Sequence, residues 1–228
     1  MRGWIKWAMG TALFAVLVVG FIGWMHTPGA RPILGALGVK CPITKNANPV
    51  VMDNVRRQQM AAPDAPLAPR RPALGLELDK STLKDGRAWA DQRGLKCSEH
   101  QRGYEYLQCP SVLPSAIGEA YSAAPIDMLV LTFGSKGTLI GVQTYRRGVS
   151  VGEVVAILTG GQKSLARDLG PPTATLGSAD DPAFQNKSAG YAAAQVNYKF
   201  KDYLATLSAA RLPGSGVVVM EKFYSTTL

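Results

Sequence analysis

Residues 7–25 run for nineteen positions without a charge, through the block Ala12-Leu13-Phe14-Ala15-Val16-Leu17-Val18-Val19. At 1.5 Å per residue a helix of this length reaches roughly 28 Å, close to the ~30 Å hydrocarbon thickness of a bilayer. Arg2 and Lys6 precede the run, and Trp4, Trp7 and Trp24 lie near its ends, where indole rings favour the lipid–water interface. The competing reading is a cleaved signal peptide, whose apolar core normally spans about 7–15 residues before a small-x-small site. Here the run is longer and passes into Met25-His26-Thr27-Pro28 before the small pair Gly29-Ala30. The spacing therefore favours an uncleaved transmembrane anchor over residues 1–26, and makes membrane lipid the first expected partner.

Residues 27–72 hold eight of the fifteen prolines, and Pro63, Pro66, Pro69 and Pro72 recur at every third position. Proline fixes φ near −65° and donates no backbone hydrogen bond, so this stretch is expected to extend as a stiff, basic spacer. A ligand for an SH3- or WW-like groove has the same pattern. Residues 53–60 fit a short helix, whose arginines, with Arg70 and Arg71, would face anionic headgroups on a cytoplasmic surface.

The formal charge of +9 raises nucleic acid as a partner. Its location argues against one. Residues 1–72 carry nine Lys/Arg against two acids, and residues 73–228 carry sixteen against fourteen. A nucleic-acid module needs its cations on the folded surface, so no nucleic acid is expected.

Residues 73–228 alternate helical and strand-like patterns. One helix is expected from a cap at Asp79 or Ser81, through Leu83 and Trp89, to a stop at Gly94. A second opens on the capping box Ser150-Val151-Gly152-Glu153 and stops at Gly170-Pro171-Pro172, with Gly160-Gly161 weakening its middle. Strands are expected over 95–101, 104–109, 127–133 and 138–145, with Gly134-Ser135-Lys136-Gly137 as a hairpin turn. Further strands follow around Val196, over 203–211 and over 217–224. The expected fold class is α+β: an antiparallel sheet with helices on one face, in two related helix–sheet halves. The phrases at 129–133 and 196–200 match in pattern, as related halves would. The layout resembles small envelope proteins with repeated helix–sheet units, and no motif singles out a family. Met128-Leu129-Val130-Leu131 and Val217-Val218-Val219-Met220 are apolar at every position, so the face away from the helices is covered by loops and the long 178–190 segment, or meets a partner.

Cys97 and Cys109 flank Arg102-Gly103-Tyr104 symmetrically, so a hairpin there sets them opposite each other for a disulfide. Such bonds persist outside the reducing cytosol, which favours a cytoplasmic N-terminus and an extracytoplasmic domain, periplasmic in a bacterium. Cys41 is left over. The metal spacings CxxC and HxxxH are absent, and no metal or cofactor is expected. His100 is the imidazole nearest any chemistry, yet no Gly-x-Ser-x-Gly elbow accompanies it. Thr159-Gly160-Gly161-Gln162-Lys163-Ser164 puts Gln162 where a phosphate loop needs glycine. Asn186-Lys187-Ser188 fits a glycosylation sequon. The function expected from these features is a non-catalytic, membrane-anchored extracytoplasmic module that binds a protein or envelope component. The alternatives are a membrane-bound hydrolase or transferase using His100 or the Asp180-Asp181 loop, and a cytosol-facing membrane adaptor.

Overall fold

The computed structural model describes residues 48–60, 62–119, 122–181, 184, 192–212 and 216–227. The anchor expected over 1–26, the spacer as far as residue 47, Cys41 and the 186–188 sequon lie outside these described residues. Among the described residues no helix is long and apolar enough to cross a membrane. Those from Asn48 onward belong to one compact unit.

In chain order the elements are α1 (Pro49–Met60), α2 (Leu83–Gln92), β1 (Ser98–Arg102), β2 (Tyr104–Val112), a 3₁₀ turn (Pro114–Ile117), β3 (Ile126–Phe133) and β4 (Leu139–Arg147). They continue with α3 (Val151–Leu169), β5 (Ala174–Leu176), β6 (Ala192–Lys199), β7 (Tyr203–Leu212) and β8 (Gly216–Ser225). The eight strands form one antiparallel sheet in the order β1-β2-β3-β4-β8-β7-β6-β5. With its helices this is the α+β arrangement expected. The order is symmetric: α2 precedes the meander β1 to β4, α3 precedes the meander β5 to β8, and β4 pairs with β8 at the centre. That symmetry matches β3 with β7. The similar phrases at 129–133 and 196–200 fall on β3 and on the end of β6, so they are not equivalent positions. Their likeness reflects only the period-two burial of interior strands.

Both α2 and α3 lie on one face. Leu107, Leu131, Val142, Phe223, Ala205 and Tyr198 are successive cross-strand partners and point to the same side. The next row on that side runs Cys109, Leu129, Thr144, Glu221, Leu207 and Val196. Gly86 of α2 sits against Leu131 and Phe133, and Gly161 of α3 sits against Leu207 and Glu221. Gly160-Gly161 does not split the helix: α3 is continuous over nineteen residues. A Cβ at Gly161 would lie 2.9 Å from Leu207 Cδ1, so the missing side chain is what lets the helix approach the sheet. Gly161→Val is expected to destabilise the domain by about 1–3 kcal/mol through overpacking, read as a lower urea midpoint at unchanged slope.

The cap of α3 is as expected, with reciprocal Ser150–Glu153 hydrogen bonds. That of α2 is not Asp79 or Ser81 but Thr82, which forms its own capping box with Asp85. Asp79 instead takes φ +66°, bonds Leu139 O through its amide at 2.7 Å, and accepts from Ser225 Oγ at 2.7 Å. Thr227 and Arg71 also donate to its carboxylate. Burial pushes the Asp79 carboxyl up, but the hydrogen bonds from Thr227, Arg71 and Ser225 outweigh it and hold the group below its ordinary value.

The proline-rich segment, where described, is tied to the domain. Lys201 N donates to Pro66 O at 2.9 Å, Ala68 N to Asp202 Oδ1 at 2.8 Å, and Tyr203 OH to Pro72 O at 2.6 Å. Arg70 pairs with Asp168, and Arg71 with Asp79. The partners expected for these arginines in a lipid headgroup layer are supplied here by the chain itself.

Below α3 the core encloses an ionic cluster at the seam of the two meanders. Arg146 on β4 and Glu221 on β8 are fully buried and paired, and Thr144 Oγ1 donates to Glu221 Oε2 at 2.8 Å. Arg146 also pairs with Glu119, which follows the 3₁₀ turn. Burial, and then the charge of Glu221, push the Glu119 carboxyl up to about 8 against the pull of Arg146. Two carboxyl groups sharing one arginine are neutral together when one of them keeps its proton.

Candidate binding face of the sheet

Strand register decides which side chains look away from the helices. One row across the sheet runs Gln108, Val130, Gln143, Lys222, Thr206 and Asn197. The next runs Met128, Tyr145, Met220, Ser208 and Gln195. A third carries His100, Tyr106, Thr132, Gly141, Tyr224, Leu204 and Lys199. Most of these residues are half-buried, including Met128, Val130, Tyr145, Met220 and Lys222. Of the apolar runs flagged in the sequence, Met128, Val130, Val218 and Met220 therefore stand partly open, while Leu129, Leu131, Val217 and Val219 are buried on the helix side. Cover was expected from loops and the 178–190 segment. Of that segment Phe184 is fully buried, and its carbonyl accepts from Arg211, a residue on the helix side of β7. The described part thus serves the other face.

The open face is organised. Gln195 Nε2 donates to Asn197 Oδ1 at 2.7 Å, Thr206 Oγ1 donates to the same oxygen at 3.1 Å, and Tyr145 OH donates to Gln143. A tyrosine group occupies one end. The rings of Tyr104 and Tyr106 meet edge to face at 6.3 Å, and Tyr224 fills the space that a Cβ on Gly141 would need. Burial raises the Tyr106 and Tyr145 hydroxyls above their ordinary value, so they remain neutral donors. Helix α1 closes this end. Asp53 accepts from Tyr104 OH at 2.9 Å and from Ser135 N at 3.0 Å, while Arg56 donates to Ser225 O. Burial lifts the Asp53 carboxyl, yet the bonds from Ser135 and Tyr104 and the Arg56 charge prevail and hold it below its ordinary value.

Charge distinguishes the two faces. On the open side the strand positions include Lys199, Lys222 and Arg102, together with Arg147, whose guanidinium is paired with Asp127 of β3 at 3.7 Å. On the helix side the strands carry Glu99, Glu105 and Glu221 against Arg146 and Arg211. This asymmetry was hidden in a domain of nearly balanced charge. Only assignment of the faces reveals it.

The residues singled out in the sequence are distributed differently. Cys97 and Cys109 are disulfide-bonded, with Cα atoms 4.1 Å apart, because the pairing of Ser98 with Gln108 brings them opposite each other. His100 is exposed on the edge strand and contacts Ser98 Oγ at 2.9 Å, while Glu99 pairs with Arg87. Asp180 and Asp181 are exposed in a loop away from His100 in the fold. Residues 159–164 lie within α3 and form no loop. The structure gathers none of these around a common centre. What sequence reasoning missed is the amide and tyrosine face itself, whose residues are individually ordinary.

Neither a family model, nor a curated protein, nor a solved structure matches this chain.

Proposed function

We propose that the protein is a single-pass, membrane-anchored, non-catalytic module whose domain stands on the extracytoplasmic side and binds an acidic protein or envelope partner on its open sheet face. One observation carries this reading: a half-buried surface of Met128, Val130, Tyr145 and Met220, interleaved with side-chain amides, carries Lys222 at its centre and Lys199 and Arg102 towards its edges. Tyrosine and methionine are enriched in the contact cores of interfaces, and a surface with an excess of one sign selects a partner of the opposite sign. The disulfide supports an oxidising compartment. The uncharged run at residues 7–25 supports the anchor.

The test places a photoreactive residue in the full-length chain in its own membrane, once at Gln143 and once at Lys163, which is exposed on α3. An adduct is expected from the first position only. Lys222→Glu should lower its yield by about tenfold or more, because a like charge then faces the acidic partner. Its unfolding midpoint should not change. Equal labelling from both positions, or an unaltered yield with Lys222→Glu, sinks the proposal.

A further inference from the structure

We propose that the crevice between α2 and α3, on the opposite side of the sheet from the open face, is a binding site for a small uncharged ligand carrying an amide on an apolar body. Its volume is about 370 Å³, within the range of ordinary small-molecule sites. Leu165, Leu207 and Phe223 supply apolar walls, Arg93 and Ser164 are its half-exposed polar residues, and Glu119 is its buried one. The Arg93 guanidinium is held 4.5 Å over the Trp89 ring and donates to Trp89 O at 3.2 Å, so this wall is already ordered.

Glu119 determines the ligand chemistry. Arg146 donates to its Oε2, and a hydrogen bond to Glu221 engages the carboxyl proton, whereas its Oε1 is buried and accepts no hydrogen bond among the described residues. A buried polar atom in that condition costs stability, which a ligand can recover by pairing with it. An amide suits this oxygen in either protonation state of the carboxyl, because its N–H donates to Oε1 while the proton, when present, is held by Glu221. A charged ligand suits it less. Arg146, Glu221 and a protonated Glu119 already balance, and the pull of burial on the Glu119 proton supports that state near neutrality. A carboxylate would meet two acidic groups, and an ammonium would have to displace the proton.

The experiment titrates the full-length chain, held in phosphatidylcholine nanodiscs, with benzamide, toluene, benzoate and benzylamine. The Leu165 and Leu207 methyl resonances are followed. Benzamide is expected to shift both methyls and to bind about tenfold tighter than toluene, the increment of one buried hydrogen bond. Glu119→Leu leaves Arg146 balanced by Glu221, and should reduce benzamide to the affinity of toluene. Ser164→Trp should fill the crevice and abolish both. Equal binding of toluene and benzamide, tighter binding of benzylamine or benzoate, or indifference to either substitution overturns the proposal. So does a benzamide titration without methyl shifts. Because none of these residues lies on the open face, failure here leaves the crosslinking result standing, and the reverse also holds.

Discussion

Arg146→Ala is expected to destabilise the domain by about 3–5 kcal/mol, measured by urea denaturation, because it strands buried acids without their cation. The side chain is fully buried and engages Glu119, Glu221, Thr144 Oγ1 and Ala124 O, so its removal takes away the ionic link across the β4–β8 seam and leaves only the backbone pairing there. Desolvation decides the size of the effect: the pair gains little over a well-packed apolar core, but a lone buried charge is costly. Removing an acid from the same cluster should therefore cost less than removing the arginine. The pH dependence has a definite sign. The Glu119 carboxyl is raised from 4.5 to about 8 by burial and by Glu221, so the native state holds a proton that the unfolded chain has released. Its contribution is fully present below the ordinary carboxyl range and is lost as pH rises through about 8. Wild-type stability is expected to fall between about pH 5 and pH 8 for this reason. In Glu119→Leu that fall should be absent. A wild-type domain whose stability rises across the same window contradicts the assignment.

How much of this was legible beforehand follows from how local each cause is. The Ser150–Glu153 cap, the turn at 134–137 and the Cys97–Cys109 register are set within a dozen residues, and each formed as expected. Thr82 was missed as a cap because Asp79 and Ser81 are equally good candidates by type; the bridge between Thr82 and Thr138 favours the later start. Strand β5 was missed because its three residues are all exposed and carry no alternation. In β8 the positions 217, 219, 221 and 223 alternate with 218, 220, 222 and 224, and both sets are largely apolar. Periodicity alone cannot say which set faces the helices. Glu221 and Lys222 therefore look equivalent in sequence, although one closes a buried cluster and the other stands on the open face. The docking of residues 66–72 was equally invisible. It depends on Asp168, Asp202 and Tyr203, which lie about a hundred residues or more away in the chain.

Removing the Cys97–Cys109 bond, as Cys97→Ser with Cys109→Ser, is expected to destabilise the domain by about 3 kcal/mol, the entropy of a loop of this length. The loss should not spread evenly. All five residues of β1 are exposed, so the strand is held by its pairing with β2, by the Arg87–Glu99 ion pair and by the bond to Cys109, which is fully buried. Exposed ion pairs contribute little, and a lone strand pair is marginal in water. Amide exchange at residues 98–102 should therefore accelerate by more than about a hundredfold in the double variant, while α3 and β7 keep most of their protection. Uniform acceleration would show that β1 belongs to the global unfolding unit. The same bond reports the compartment. In intact cells a membrane-impermeant thiol reagent should label neither cysteine until a reductant is added. Two free thiols at this site would place the domain in a reducing compartment and remove the basis for an extracytoplasmic module.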